Sequence, residues 1–329
     1  GTHALVEENV AFHRLGLSVV DEQHRFGVRQ RAMFREKGLD PHLLLTTATP
    51  IPQTLSQTLY RDLDVSLIDE LPAGRRPIRT EVREPEALPK VWPWLRERVA
   101  AGEQAFIVCP RIGGDGDEDD DALGAAATET VRDLEHGSLA GLRIGLLHGR
   151  LPAKEREARM KRFAFGELDL LVATTVVEVG IDIPRATVMI VLSAERFGLA
   201  TLHQLRGRVG RGEKRSFCVL VSEQAGESER LRAMIEKKRG PDGAEVPLDG
   251  FDLAKRDLEI RGAGEFLGER QHGSNELRIV DFDDIDPRLL EDTGGEADRI
   301  LGGDPELTRP EHSRLAAAVG DLWDRYALA

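Results

Sequence analysis

DLLVATTVVEVGIDIPRATVMIVLSA, residues 169–194, holds the two runs on which the fold turns, DLLVATTV (169–176) and ATVMIVLSA (186–194). Each is apolar at consecutive positions, not at alternate ones, so both faces of each strand need cover. Strands of that kind belong to parallel sheets with helices on either side. The same signature recurs outward in both directions. LGLSVV (15–20), HLLLTTA (42–48), QAFIVCP (104–110), RIGLLHG (143–149) and SFCVLV (216–221) are strand-length apolar runs, and helical patterns such as AKEREARMKRFAFGE (153–167) lie between the later ones. The expected class is α/β, with two parallel-sheet lobes. The first lobe shows only two strands, as if truncated, and the second shows five.

LPAGRRPIRTEVREPEALPK (71–90) is rich in Pro, Gly and charge without apolar periodicity, and reads as a linker. After residue 225 the texture changes. A basic helix over 227–239, a Gly/Pro turn at 240–243 and a second helix over 249–259 are expected, then RGAGEFLGERQHG (261–273) and a tail with a helical stretch near 311–326. The resulting division is 1–72, a linker at 73–90, 91–225, 226–273 and 274–329.

Composition excludes several classes. No apolar run approaches the roughly 18 residues a membrane-spanning helix needs. GTHALVEENV, at the N-terminus, has no basic n-region, no apolar h-region and no Met, so it is not a secretory signal and reads as the interior of a longer protein. Cys109 and Cys218 both sit in apolar strands, which points to reduced core thiols in a cytosolic protein, not to a disulfide or a metal site. The acidic insert GGDGDEDDD (113–121) fails the calcium-loop pattern, because the sixth position from Asp115 is Asp120 and the twelfth is Ala126. It reads as a solvated loop. A net charge of −13 argues against nucleic acid at face value, but a basic stripe can sit on an acidic molecule. RGRVGRGEKR (206–215) and RLRAMIEKKR (230–239) each carry five basic residues and one acidic. In isolation each reads as a solvated helix face.

Chemistry concentrates at the strand ends. Asp21 and Glu22 follow LGLSVV, where ligands of parallel sheets gather; one carboxylate suits Mg²⁺ and its neighbour suits polarising a water. Gln23 and His24 complete the tetrad DEQH. Thr46, Thr47 and Thr49 lie in TTATP after the next strand, where hydroxyls can join the carboxylates or merely cap a helix. Thr174, Thr175 and Asp182 follow the strand at 169–176, and His148, Gly149 and Arg150 end the one before it. QLRGRVGR (204–211) has a QxxGRxGR spacing. Its guanidinium forks at Arg208 and Arg211 suit the charge on a transferring phosphoryl group, and its glycines permit close backbone approach.

DEQH, TATP, TTVVEVGID and QLRGRVGRG stand in the order and approximate spacing of motifs II, III, V and VI of superfamily 2 helicases. With GTHAL, VDEQHRFGVRQR, IDELPAGRRPI, AERFGLATLHQLRGRVGRG and DLEIRGAGEFLGERQHG, the chain resembles the RecG family of bacterial DNA helicases over nearly its whole length. The resemblance weakens at 113–140 and after about residue 285.

That resemblance implies two RecA-like lobes and an ATP-driven enzyme using ATP and Mg²⁺. By position, Asp21 would coordinate the metal and Glu22 would activate water. Gln23, His24, Thr47 and Thr49 would couple nucleotide state to lobe movement. Arg208 and Arg211 would act as arginine fingers, with Gly180, Asp182 and Gln204 also facing the nucleotide. Gly1, Thr2 and His3, together with His148, Arg150, Thr174 and Thr175, would touch DNA backbone. A helical hairpin and loop over 226–273, with Arg261 and Gln271 in the loop, would turn lobe closure into translocation. The implied partners are branched or forked double-stranded DNA and single-strand-binding protein, for a monomer away from membranes.

Two features set this sequence apart from the family pattern. It contains no GxxxxGK followed by Ser or Thr, the phosphate-cradling loop, and it lacks the N-terminal wedge domain. The chain by itself is therefore expected to be inactive. The alternatives are a transcription-repair coupling translocase, which carries DEEH where this chain has DEQH, and a non-catalytic DNA-binding remnant.

Overall fold

The computed structural model describes residues 1, 5, 10–21, 41–47, 64, 66, 68, 76–110, 120–174, 182–240, 243–261 and 287–327. The chain divides into two compact units, one made of 1–50 with 69–260 and the other of 51–68 with 261–329.

The first unit holds two parallel sheets. The smaller pairs β1 (Leu17–Val20) with β2 (His42–Leu45) in register Leu17↔His42 to Val20↔Leu45. One face of β1 is buried through Ser18 and Val20, whereas Leu17 and Val19 on the other are 56% and 60% exposed.

The larger sheet has six strands. They are β3 (Arg79–Arg83), β4 (Gln104–Val108), β5 (Ile144–Leu147), β6 (Leu170–Ala173), β7 (Ala186–Val191) and β8 (Phe217–Val221), in spatial order β3-β8-β7-β4-β6-β5 and all parallel. Helices α1 (Leu88–Ala100), α2 (Asp120–His136), α3 (Ala153–Ala164) and α4 (Leu199–Arg206) connect them. The apolar runs divide between two cores with a period of two. Phe106, Val108, Leu171, Ala173, Met189, Val191, Cys218 and Leu220 enter one core. Ala105, Ile107, Leu170, Val172, Val188, Ile190, Val219 and Val221 enter the other. Consecutive apolar residues along a pleated strand leave no polar face, so both sides take helices.

Two readings need correction here. The 71–90 stretch is not all linker: Arg79–Arg83 forms edge strand β3 against β8, and α1 begins at Leu88. The second sheet therefore has six strands, not five. Charge protects this edge, since Glu81 receives hydrogen bonds from both Arg79 and Arg83, and charged edges resist pairing with other chains. The expected basic helix over 227–239 is also shorter. It ends as α5 (Glu229–Ile235), and the chain then forms a small antiparallel ribbon, β9 (Lys237–Arg239) with β10 (Glu245–Pro247), before α6 (Gly250–Arg261). Ser228 caps α5 by accepting from Leu231 N–H.

The second unit contains α7 (Pro287–Gly303), which the sequence reading lacked, and α8 (Ser313–Ala327), which matches the expected tail helix. Asp304 closes the turn between them, accepting from the Thr308 and Arg309 amides at 2.9 Å and from His312 Nδ1 at 2.8 Å. Burial pushes this carboxyl up, but the hydrogen bonds outweigh it and hold the group far below the usual carboxylate range. Among the described residues, no helix is long and apolar enough to cross a membrane.

Both cysteines are free and buried. Burial raises the Cys109 thiol and pushes Cys218 up to about 12. The thiolate is the reactive form, so neither should react with an aromatic disulfide reagent in the native protein. Titration in urea should release two thiols, and a fast native reaction at Cys218 would contradict the packing.

Candidate nucleotide and DNA site

In the first lobe, parallel pairing brings the carboxyl ends of β1 and β2 side by side. Thr46 N–H donates to Val20 O at 2.8 Å, extending the ladder one step, and this places Thr46 Oγ1 2.7 Å from Asp21 Oδ1. Motif II and motif III are thus joined by a hydroxyl-to-carboxylate bond through Thr46, a residue not singled out by the resemblance. Asp21 and Thr47 are exposed. Glu22, Gln23, His24 and Thr49 lie outside the described residues, as do Thr2 and His3; Gly1 is exposed.

In the second lobe the candidate residues divide between opposite ends of the strands. His148 and Arg150 leave β5, and the buried Thr174 leaves β6, where its amide donates to Leu147 O. These stand at the carboxyl edge. His148 Nδ1 is buried without a hydrogen-bond partner, and burial with the nearby charges of Arg159 and Arg150 lowers the basicity of the ring. The imidazole is therefore neutral near pH 7 and offers an N–H, not a cation. Arg159, absent from the sequence reading, donates to Leu146 O at 2.5 Å and holds the end of β5.

Asp182, Arg208 and Arg211 are elsewhere. They lie on the loops that enter β7 and β8, at the amino edge of the sheet. Arg211 Nε is 3.7 Å from Asp182 Oδ1. Two glycines allow that approach. Gly210 takes φ +78° against Ile78, and Gly212 lies so close to the segment before β7 that a Cβ there would stand 2.6 Å from Pro184 O. Val209, fully buried immediately before Gly210, anchors the loop. Replacing Gly212 by Ala should cost about 1–3 kcal/mol, the range for overpacking a tight site, because backbone must move to admit the methyl. Gly226→Ala, with nothing within 4 Å, should change stability by less than about 0.5 kcal/mol. Urea midpoints of the two variants test the contrast.

Most basic residues of both stripes are exposed, but several of their charges have protein partners. In the first, Arg206 is buried and Lys214 pairs with the buried Glu103 at 3.6 Å. Arg206 donates to Met234 O, Leu248 O and His203 Nδ1, tying α4 to α5 and to the residue just past β10. In the second, Arg230 donates to Phe197 O, Arg232 to Gly226 O, Lys237 pairs with Glu245, and Lys238 pairs with Asp249 and Asp252. The charges of Arg206, Arg230, Arg232, Lys237 and Lys238 are thus engaged within or against the module that follows motif VI. Gln204 is half-buried on α4. Arg261 ends α6, while Thr175, Gly180 and Gln271 lie outside the described residues. Among the described residues, no cluster of three or more His, Cys, Asp or Glu could hold a metal ion.

Comparison with known proteins agrees with this architecture. Residues 91–213 match the helicase conserved C-terminal domain. The Bacillus subtilis ATP-dependent DNA helicase RecG is 42% identical over 318 residues, 96% of this chain and 44% of the relative. The Mycobacterium tuberculosis RecG is 48% identical over 288 residues, 83% of this chain and 37% of the relative. A solved structure of RecG bound to a three-way DNA junction superposes with a TM-score of 0.63 at 41% identity, covering 88% of this chain and 35% of that one. This chain spans less than half the length of the curated relatives it matches. With its motifs in order, its six-stranded parallel lobe and this similarity along most of its length, the chain belongs to the RecG family of ATP-dependent DNA helicases.

Proposed function

We propose that the chain forms part of an ATP-driven translocase that remodels branched double-stranded DNA, such as forks and Holliday junctions, in recombination and repair. One observation carries the reading. A single lobe holds an arginine loop at the amino edge of its sheet and a group of polar and basic residues at the carboxyl edge, so a movement driven at one edge displaces the other. The second lobe runs from the segment leading into Arg79–Arg83 to about residue 225, with the first lobe before it and the translocation module (226–273) and a tail (274–329) after it.

Asp21, an exposed carboxylate held by Thr46, fits a Mg²⁺ ion that takes its remaining ligands from water and phosphate, as this ion commonly does. The metal would neutralise phosphate charge. Glu22 would orient the attacking water, and Gln23, His24, Thr47 and Thr49 would couple the nucleotide state to lobe movement, with Thr46 bonded to Asp21. Arg208 and Arg211 would place guanidinium forks on the transferring phosphoryl, and Asp182, 3.7 Å from Arg211, would accept from the sugar hydroxyl. His148 as a neutral donor, Arg150, Thr174 and Thr175 bind DNA backbone, which positions the duplex without reading its sequence. Single-strand-binding protein is a further proposed partner.

The test joins this chain to the upstream part of the Bacillus subtilis relative and measures ATP hydrolysis with a three-way junction, with linear duplex and without DNA. Junction DNA should stimulate hydrolysis most, and the chain without the added part should stay at background. Equal rates with and without junction would overturn the proposal.

A further inference from the structure

The arginine loop has a contact the nucleotide reading does not use. Ile78 lies in the segment that leads into β3, far from motif VI in sequence. Its side chain is half-buried against the core under β8 and meets the backbone of Gly210, where a Cβ would stand 2.9 Å from Ile78 Cγ1. Arg79 N–H donates to Ser216 O at 3.0 Å, so the same segment is also pinned by a backbone bond to the residue preceding β8. On the opposite flank, Gly212 lies against the Pro184 carbonyl. The loop between Val209 and Gly212 is therefore gripped from two sides, by the entering segment and by the segment after Asp182.

The two contacts differ in their surroundings. Pro184 is main chain leading into the buried strand β7. Ile78 instead borders an open cavity of about 560 Å³, lined also by Arg76, Arg215, Phe217, Met234 and Pro247. A side chain with a cavity beside it can shift without displacing packed neighbours, because a void offers no opposing contacts. Movement of the entering segment can thus reach the loop through one isoleucine.

We propose that Ile78 is a positioning residue for the arginine loop, transmitting the placement of the segment that enters the second lobe to Arg208 and Arg211. The reading rests on the nucleotide role proposed above for those arginines. Ile78 touches no substrate; it sets where the guanidiniums stand. A β-branched side chain suits the task, since its restricted χ1 makes it a stiff spacer.

Hydrogen–deuterium exchange on the full 329-residue chain reads the contact without any activity. Ile78→Ala should speed exchange of a peptide spanning 207–213 by about tenfold while peptides from β4, β6 and β7 keep their rates, and Ile78→Val should stay within about threefold of the parent. In the chimera with the upstream part of the Bacillus subtilis relative, Ile78→Ala should lower kcat for junction-stimulated hydrolysis about tenfold with less than a twofold change in KM for ATP, and Ile78→Val should recover most of it. Unchanged exchange at 207–213, or acceleration spread equally over the core strands, would overturn the proposal. So would a loss of kcat that Ile78→Val fails to rescue. If Arg211→Ala leaves hydrolysis unaffected in the same chimera, the nucleotide role of the loop falls, and the exchange result alone then decides whether Ile78 holds the loop.

Discussion

Arg211→Ala should lower junction-stimulated ATP hydrolysis in the chimera by about a thousandfold, the lower end of what an arginine finger contributes to phosphoryl transfer. The loss should fall on kcat, since the guanidinium gains its strongest interaction as charge spreads over the transferring group. Stability should barely move. The side chain of Arg211 is 34% exposed and that of Asp182 59%, and their ion pair is 3.7 Å long. Exposed pairs of this kind contribute about 0–1 kcal/mol. A drop of less than tenfold, or one matched by a large fall in urea midpoint, would remove Arg211 from the proposed chemistry. Arg211→Lys discriminates further. A lysine keeps the charge without the planar fork and should recover only a minor part of the rate.

The largest effect on folding is expected at Arg206. Its guanidinium is buried and donates to Met234 O at 3.4 Å and to Leu248 O at 3.2 Å, with His203 Nδ1 at 3.0 Å. Burial lowers its pKa, yet an arginine starts so high that it stays charged. Truncation to Ala removes two charge-assisted hydrogen bonds to carbonyls that have lost contact with water, and the penalty should be about 3 kcal/mol. Arg206→Met fills most of the volume but satisfies neither carbonyl. If packing dominates, Met should restore the protein; if the hydrogen bonds dominate, Met should be nearly as damaging as Ala. The second outcome is expected. Chemical denaturation gives the magnitude, and exchange rates over 229–260 should rise first, because Arg206 fastens that module to α4.

This anchor also explains why the module after motif VI belongs to the same compact unit as the six-stranded sheet. Residues 226–273 were divided off by composition and texture. Side-chain bonds between this module and the lobe run from Arg206 to Met234 O and Leu248 O and from Arg230 to Phe197 O, and the part up to Ile260 falls in the same compact unit as the lobe. Whatever role the module has in DNA movement, its described part rides on the helix that carries motif VI.

Much of the architecture was legible in the residues themselves. Seven apolar runs were read as strands, and each contains a strand of the structure, because burial on both faces demands unbroken apolar sequence, which is a local property. The motifs, their order and the family were equally local, since each is a short run of residue types at fixed spacing. Strand β3 left no such trace. RTEVR is short and charged and lies among Pro and Gly, and it becomes a strand only through pairing with β8 in register Arg79↔Phe217. The three-residue ribbon β9–β10 is too brief for any periodicity to register. Charge was the other blind spot. Arginines and lysines look alike in a sequence whether they meet water, DNA or a carbonyl. Only the tertiary structure turns Arg206 inward, pairs Arg211 with Asp182, and sends the arginine loop to the amino edge while His148 and Thr174 stay at the carboxyl edge. Local pattern decided which residues form strands and motifs. Partners distant in the chain decided which end of the sheet each motif occupies and which charges remain available for a ligand.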